Sequence, residues 1–400
     1  MRPRRTLTAR GVCLLLLGLI ALVAGLVIGQ RELVALGVLA TAVPPLAALS
    51  VFGAAGRIAH SRLVTPSRVR AGHDARVMVR VGNSSHVWPV TSVSIRDTLP
   101  TPLGHEPRYS LGLLGPRGVR DLAYLVRPAV RGNYPLGPLR VSVTDPLGCV
   151  RVEQRPSAPD HLLVTPATVP LGRVGTADGS QGDDSPRRST SGIGEQDPVP
   201  REYRYGDELR RVHWRSTAKH GELMVRRDEQ HRREYGTILL DTRRRAHAGT
   251  GAAHSLETAV SAAASIALHL LDQGHEVRLH TERGRMPVAV PSALLDGLAV
   301  IEPSEATAPP IGASALASSA SLTVAVLGAV EAEEAAVLAK TGGGHRVAVL
   351  CAGAAWPSPD ALRGVGEVLS AGGWRIVRLS SIAELPPLWR DAAPLGKVPR

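Results

Sequence analysis

The 400 residues carry a formal net charge of +12 and are 44% hydrophobic, yet only 3% are aromatic, with Phe52 the single phenylalanine. That length exceeds one ordinary domain and suits two soluble domains plus an anchor. The aromatic shortage excludes the stacking platforms of single-strand binders, and no zinc-finger, RRM or homeodomain spacing is present, so the positive charge is matched to anionic inner-leaflet lipids rather than to nucleic acid.

Residues 12–29 form an uninterrupted apolar run, and 33–56 form a second that contains Pro44 and Pro45. A hydrocarbon core of ~30 Å takes about 20 helical residues, so both runs are predicted to span, as a hairpin occupying 1–62. The proline pair is expected to bend or interrupt the second helix. Arg2, Arg4, Arg5 and Arg10 precede the hairpin, and Arg57, Arg62, Arg68 and Arg70 follow it. The positive-inside rule places both termini and the soluble domains in the cytoplasm, in a multi-pass protein of the cell membrane. A cleaved signal peptide would not be followed at once by a second apolar run.

From 63 to 171 short alternating runs (75–81, 90–96, 119–126 and 138–143) are separated by Gly, Pro and Asp clusters. These predict a small antiparallel β-sandwich, within which RGNYPLGP (131–138) and DPLG (145–148) read as turns between strands. Residues 172–200, rich in Gly, Ser, Thr and Asp, read as a flexible linker. Cys13, Cys149 and Cys351 lie far apart, without a CxxC or a histidine at zinc spacing, which fits a reduced compartment with no structural metal.

Next comes the densest polar cluster, REYRYGDELRRVHWRSTAKHGELMVRR over 201–227. Asp207 suits the first turn of a helix running to about His220, with Gly221 as its stop. On that helix Arg210, His213 and Thr217 share a face, and Trp214 lies one residue round. In one reading the cluster pins the segment to the following sheet, with Trp214 as packing anchor. In another it is a recognition surface, or a ligand-binding or catalytic cluster over Arg201–Lys219 using His213 with Asp207 or Glu202. No GxSxG elbow or HExxH completes a catalytic set, so no enzymatic activity is expected.

This block resembles the signature of the bacterial family known as domain of unknown function 58, on Arg201, Glu202, Tyr203, Gly206, Asp207, Arg210, His213, Trp214, Thr217, Ala218, Lys219, Gly221, Leu223, Val225 and Arg226. The layout resembles it too: a transmembrane hairpin, a β-rich segment with the RGNYPLGP and DPLG elements, then a von Willebrand A-like domain. We expect a non-enzymatic, membrane-tethered scaffold or adaptor, and the resemblance implies a MoxR-type AAA+ ATPase and a transglutaminase-like membrane protein as its partners.

After the signature segment (201–235), residues 236–391 alternate strand and helix patterns, which predict a mostly parallel sheet covered on both faces. The expected fold class is thus a transmembrane α-hairpin, an antiparallel β-sandwich and a C-terminal α/β domain. By the resemblance, that last domain is von Willebrand A-like and Rossmann-type. Metal-binding A-type domains end their first strand in Asp-x-Ser-x-Ser. Here the run is Asp241-Thr242-Arg243-Arg244-Arg245, and arginines at the serine positions repel a divalent cation. We expect no metal, with Asp241 pairing an arginine. Gly342-Gly343-Gly344 lacks the Lys-Ser/Thr of a phosphate loop, and no cofactor is expected.

Overall fold

The computed structural model describes residues 4–51, 54–154, 157–172, 200–203, 212, 214–226, 235–288, 290–310, 320–341 and 344–392. The expected linker falls outside the described residues over 173–199, and so do Gly206, Asp207, Arg210 and His213.

The apolar runs form α1 (Ala9–Ile28) and α2 (Arg31–Ser50), both long and apolar enough to cross a membrane. Gly29, at φ 74°, closes α1 in the left-handed region, and Gln30 already caps α2. The link is therefore shorter than the expected Gln30-Arg31-Glu32 turn. Helix α2 continues through Pro44 and Pro45 instead of breaking there. It ends at Ser50, short of the predicted 56, because Val51 and Ala54 turn into the β core together with Ala47.

Small residues let the two helices pack closely against each other. Gly11, Gly18 and Gly25 recur every seven residues along the buried side of α1. A Cβ on Gly18 would lie 2.7 Å from the Thr41 amide nitrogen, and one on Gly37 only 2.4 Å from that of Leu22. Leucines such as Leu16, Leu17, Leu39 and Leu46 point outward.

The β region has three sheets around one core. Strand β1 (Arg4–Leu7), not anticipated from the sequence, joins a five-stranded sheet in the order β1-β10-β9-β5-β6, with β5 (Val90–Asp97), β6 (Arg108–Leu114), β9 (Leu139–Thr144) and β10 (Val150–Glu153). Strands β2 (Ile58–Thr65), β4 (Ala75–Asn83) and β7 (Val119–Val126) form the second sheet, so the region starts five residues before the expected Leu63. In the third, β11 (Asp160–Thr165) pairs antiparallel with β8 (Gly132–Leu136) but parallel with β3 (Arg68–Arg70), which departs from a purely antiparallel sandwich. Alternation sets the inward face: Val77, Val79 and Val81 of β4 meet Val141 and Val143 of β9 and Leu162 and Val164 of β11.

Two strands flank the signature segment, β12 (Pro200–Glu202) and β13 (Met224–Arg226), with helix α3 (Trp214–His220) between them. Beyond it lies a six-stranded sheet, β16-β15-β14-β17-β18-β19, built from β14 (Tyr235–Leu240), β15 (Glu276–Thr281), β16 (Gly284–Met286), β17 (Leu322–Leu327), β18 (His345–Cys351) and β19 (Arg375–Leu379). All pairings are parallel except that of the β16 edge. Helices α4 (Ser255–Asp272), α5 (Pro291–Ala299) and α8 (Leu385–Ala392) cover one face. Helices α6 (Ala332–Ala339) and α7 (Pro359–Ala371) cover the other. Alanines at 259, 262, 263, 264 and 267 let most of α4 sit buried on the valine-rich strands.

Arg131 ties the two regions together. Its buried guanidinium donates from Nε to Leu298 O (2.9 Å), from Nη2 to Ile301 O (2.8 Å) and from Nη1 to Glu257. The residue that reads as the start of a turn is thus a cross-domain rivet. Leu171 joins the α/β core, and the Val169 N–H donates to Ser265 Oγ at 3.0 Å. Arg131→Ala leaves a carboxylate and two carbonyls short of partners and is expected to cost about 3 kcal/mol. A lowered urea midpoint, with earlier loss of the α/β signal in limited proteolysis, checks this; an unchanged midpoint refutes it.

Candidate functional site

Strand β14 lies between β15 and β17, so successive crossovers leave it in opposite directions. The crevice at the carboxyl ends of such strands is where open α/β sheets bind ligands. Asp241, one residue past β14, sits in it with no exposure at all.

Both Asp241 oxygens are occupied. Arg243 donates from Nε to Oδ1 (3.0 Å) and from Nη2 to Oδ2 (2.9 Å), and its backbone N–H adds a bond to Oδ1 (3.1 Å). The remaining nitrogen, Nη1, reaches Glu334 Oε1 of α6 at 2.7 Å. Arg245 donates to the same oxygen at 2.7 Å. A planar fork of donors matches a carboxylate bidentately, so the guanidinium occupies both Asp241 oxygens. Among the described residues no group of three or more His, Cys, Asp or Glu side chains has metal-binding geometry.

Glu282, past the end of β15, binds the next residue along. Its Oε1 accepts the Thr242 N–H (2.7 Å) and its Oε2 accepts the Thr242 hydroxyl (2.6 Å). Burial raises this carboxyl to about 7; the Thr242 bonds pull the other way, and the neighbouring Asp241 side chain adds to the rise. His247 contacts Asp241 O through Nε2 (2.8 Å) and Ser255 Oγ through Nδ1 (3.1 Å). Burial holds it below its ordinary value. Burial likewise pushes the Cys351 thiol, at the end of β18, up to about 12, so it is not a reactive thiolate. Gly328 closes the floor, since a Cβ there would lie 2.1 Å from Ala246 O. The set is a closed ionic lock with no exposed nucleophile.

The polar signature is a separate place. Arg201 and Glu202 lie on β12, opposite Val225 and Met224 of β13, and Arg226 faces Pro200. The Tyr203 N–H donates to Leu223 O (2.8 Å). Thr217 Oγ1 accepts the Met224 N–H (3.0 Å), so it fixes the helix to the returning strand. Gly221, at φ 76°, stops α3. Lys219 is exposed, and Trp214 is 70% exposed. An indole in solvent is not a packing anchor; buried Val212 and Met224 supply apolar packing in this segment.

Residues 200–299 match the family described as protein of unknown function DUF58. Those residues therefore carry a DUF58-family segment. No curated protein matches it. Among solved structures, it is similar to the CARDB domain of a Pyrococcus furiosus protein in complex with di-metal ions, at 19% identity over 27% of this chain and 91% of that one, with a TM-score of 0.19. The C-terminal domain of wzt is 12% identical over 31% of this chain and 84% of its own, at a TM-score of 0.22. The sporulation control protein Spo0M of Bacillus subtilis is 9% identical over 27% and 49%, at 0.17. Scores this low carry no argument about this chain.

Sequence reasoning reached Asp241 but not Glu282, Glu334, His247 or Ser255. No motif marks them, and β15, α6 and the start of α4 bring them in from distant parts of the chain. With Glu282 raised to about 7 from 4.5, the folded protein holds an extra proton between those values. Its contribution to stability is therefore full below about 4.5, falls as pH rises to about 7 and is constant above. Glu282→Gln, which mimics the protonated form, is expected to flatten that part of the profile. Urea midpoints of both proteins between pH 4.5 and about 8 check the sign; parallel curves contradict it.

Proposed function

We propose that this chain is a membrane-anchored, non-enzymatic adaptor whose hairpin crosses the membrane and whose α/β region is a von Willebrand A-like domain that has replaced its cation with Arg243. Both termini and the soluble regions then lie in the cytoplasm. The arginines flanking the hairpin favour this side. Arg62 and Arg68 end in ion pairs with Asp97, Asp160 and Asp296, but the charge rule acts during insertion, before those pairs form. Family resemblance suggests a MoxR-type AAA+ ATPase and a transglutaminase-like membrane protein as partners, with anionic inner-leaflet lipids around the anchor.

The observation that carries the adaptor reading is Trp214. Within the family segment, a large indole stands in solvent on a helix that Thr217 ties to strand β13. Tryptophan is the residue most enriched at protein–protein hot spots. Trp214→Ala is expected to leave thermal stability unchanged and to cut recovery of an AAA+ ATPase in affinity capture of the solubilised protein at least several-fold. Recovery equal to wild type, or no ATPase with either protein, sinks the reading.

The A-like assignment has its own test. Arg243→Ser combined with Arg245→Ser recreates the oxygen-rich run that hard cations prefer. The double variant is expected to be less stable than wild type and to recover stability on addition of Mg²⁺, read as a thermal shift absent from wild type. No Mg²⁺-dependent shift counts against descent from a metal-binding domain.

A further inference from the structure

Strand register gives the β region two distinct ends. Leu7 pairs with Val150, Val150 is opposite the end of β9 near Thr144, and Ile58 pairs with Asn83, so these positions share one end. That end also receives both hairpin helices. The Thr8 N–H donates to Cys149 O (2.9 Å) one residue before α1, and the Ser84 N–H donates to Arg57 O (2.7 Å) seven residues after α2.

At this end Leu7, Val87, Trp88, Leu113, Val119 and Leu147 are each more than half exposed. Toward the opposite end, where Arg68 and Arg131 bind the α/β region, the large apolar side chains more than half exposed among the described residues are Leu63 and Leu125. Exposed apolar side chains scattered singly are ordinary, but six gathered at one end are not.

The turns that carry them are firmly built. Buried Asn83 donates from Nδ2 to Trp88 O (2.8 Å) and to Gly115 O (3.0 Å), which ties two of the turns together. Ser85 Oγ accepts the Trp88 N–H at 2.8 Å. In the third turn Asp145 Oδ2 accepts the Leu147 N–H at 2.9 Å. Trp88, 64% exposed, is therefore held out by its own backbone bonds. An apolar cleft of about 510 Å³ opens beside the same end, between Leu15, Pro44 and Pro45 of the hairpin and Val150 and Val152 of β10. Water gains nothing in such a cleft, whereas an acyl chain fills it.

We infer that this end of the β region is inserted into the headgroup–acyl boundary of the membrane the hairpin enters, with Trp88 and Leu147 as interfacial anchors on either side of the helices. Tryptophan favours that depth because its ring is apolar and its N–H finds polar partners. The inference rests on the proposed crossing of the membrane by α1 and α2.

The test uses the full-length chain in vesicles of phosphatidylglycerol and phosphatidylcholine, the latter brominated near the top of its acyl chains. Wild type is expected to lose tryptophan fluorescence to the bromines. Trp88→Phe is expected to abolish most of that loss, and Trp214→Phe to retain it. Equal quenching in wild type and Trp88→Phe, or none in wild type, overturns the inference. Alkaline carbonate extraction of the same vesicles separates the two readings. A protein that stays with the lipid but shows no Trp88 quenching defeats the insertion alone; a protein that is extracted defeats the crossing as well.

Discussion

Ala47, Val51 and Ala54 belong to the hairpin and its exit, yet they are packed in the β core beside Val77, Val141 and Val150. An anchor joined by a flexible chain would leave the soluble part free to rotate. Here the foot of the hairpin completes the interior of the domain above it, and β1 extends that domain's sheet on the other side of α1. The hairpin and the β region therefore stand or fall as one folding unit, and the glycine seam between α1 and α2 sets how closely both helices enter it.

In the proposed anchoring, force or position imposed at the membrane passes to the α/β region through few joints. Arg131 grips two carbonyls and a carboxylate of the α/β region, and Leu171 is packed into its core. The crevice at Asp241 lies beyond that joint and is closed by Arg243 with Glu334, rather than open for a reaction. Fixed position at one end and a fully paired site at the other suit the proposed adaptor, for which the exposed Trp214 weighs more than the buried acids.

Much of this was legible in the chain because it depends on local pattern. Apolar runs announced both helices, period-two alternation announced β4, β5, β7 and β9, and alternating strand and helix patterns announced the parallel sheet with Asp241 at its edge. What stayed hidden depends on partners far away in sequence. Arg4–Leu7 is too short and too charged to read as a strand until β10 is beside it. Arg131 looks like turn punctuation because the groups it binds come from α4, α5 and Ile301. Glu282 has no signature, since burial by neighbouring elements gives it its character. Of the readings open for the 201–227 cluster, the one that makes Trp214 a packing anchor does not match its 70% exposure, which no local pattern announces.

The pairing of β1 with β10 has a topological consequence. Residues 4–7 precede both apolar helices and residues 150–153 follow them, yet the two segments are neighbouring strands of one sheet. A sheet cannot close across a lipid bilayer, so the start of the chain and the β region share one compartment. In the proposed topology the path between them therefore crosses the membrane an even number of times, whatever the flanking charges favour. An insertion error that flipped a single helix would separate β1 from β10 and leave β10, still paired with β9, as the exposed edge of the sheet. For the proposed anchor, fold completion thus acts as a parity check on insertion.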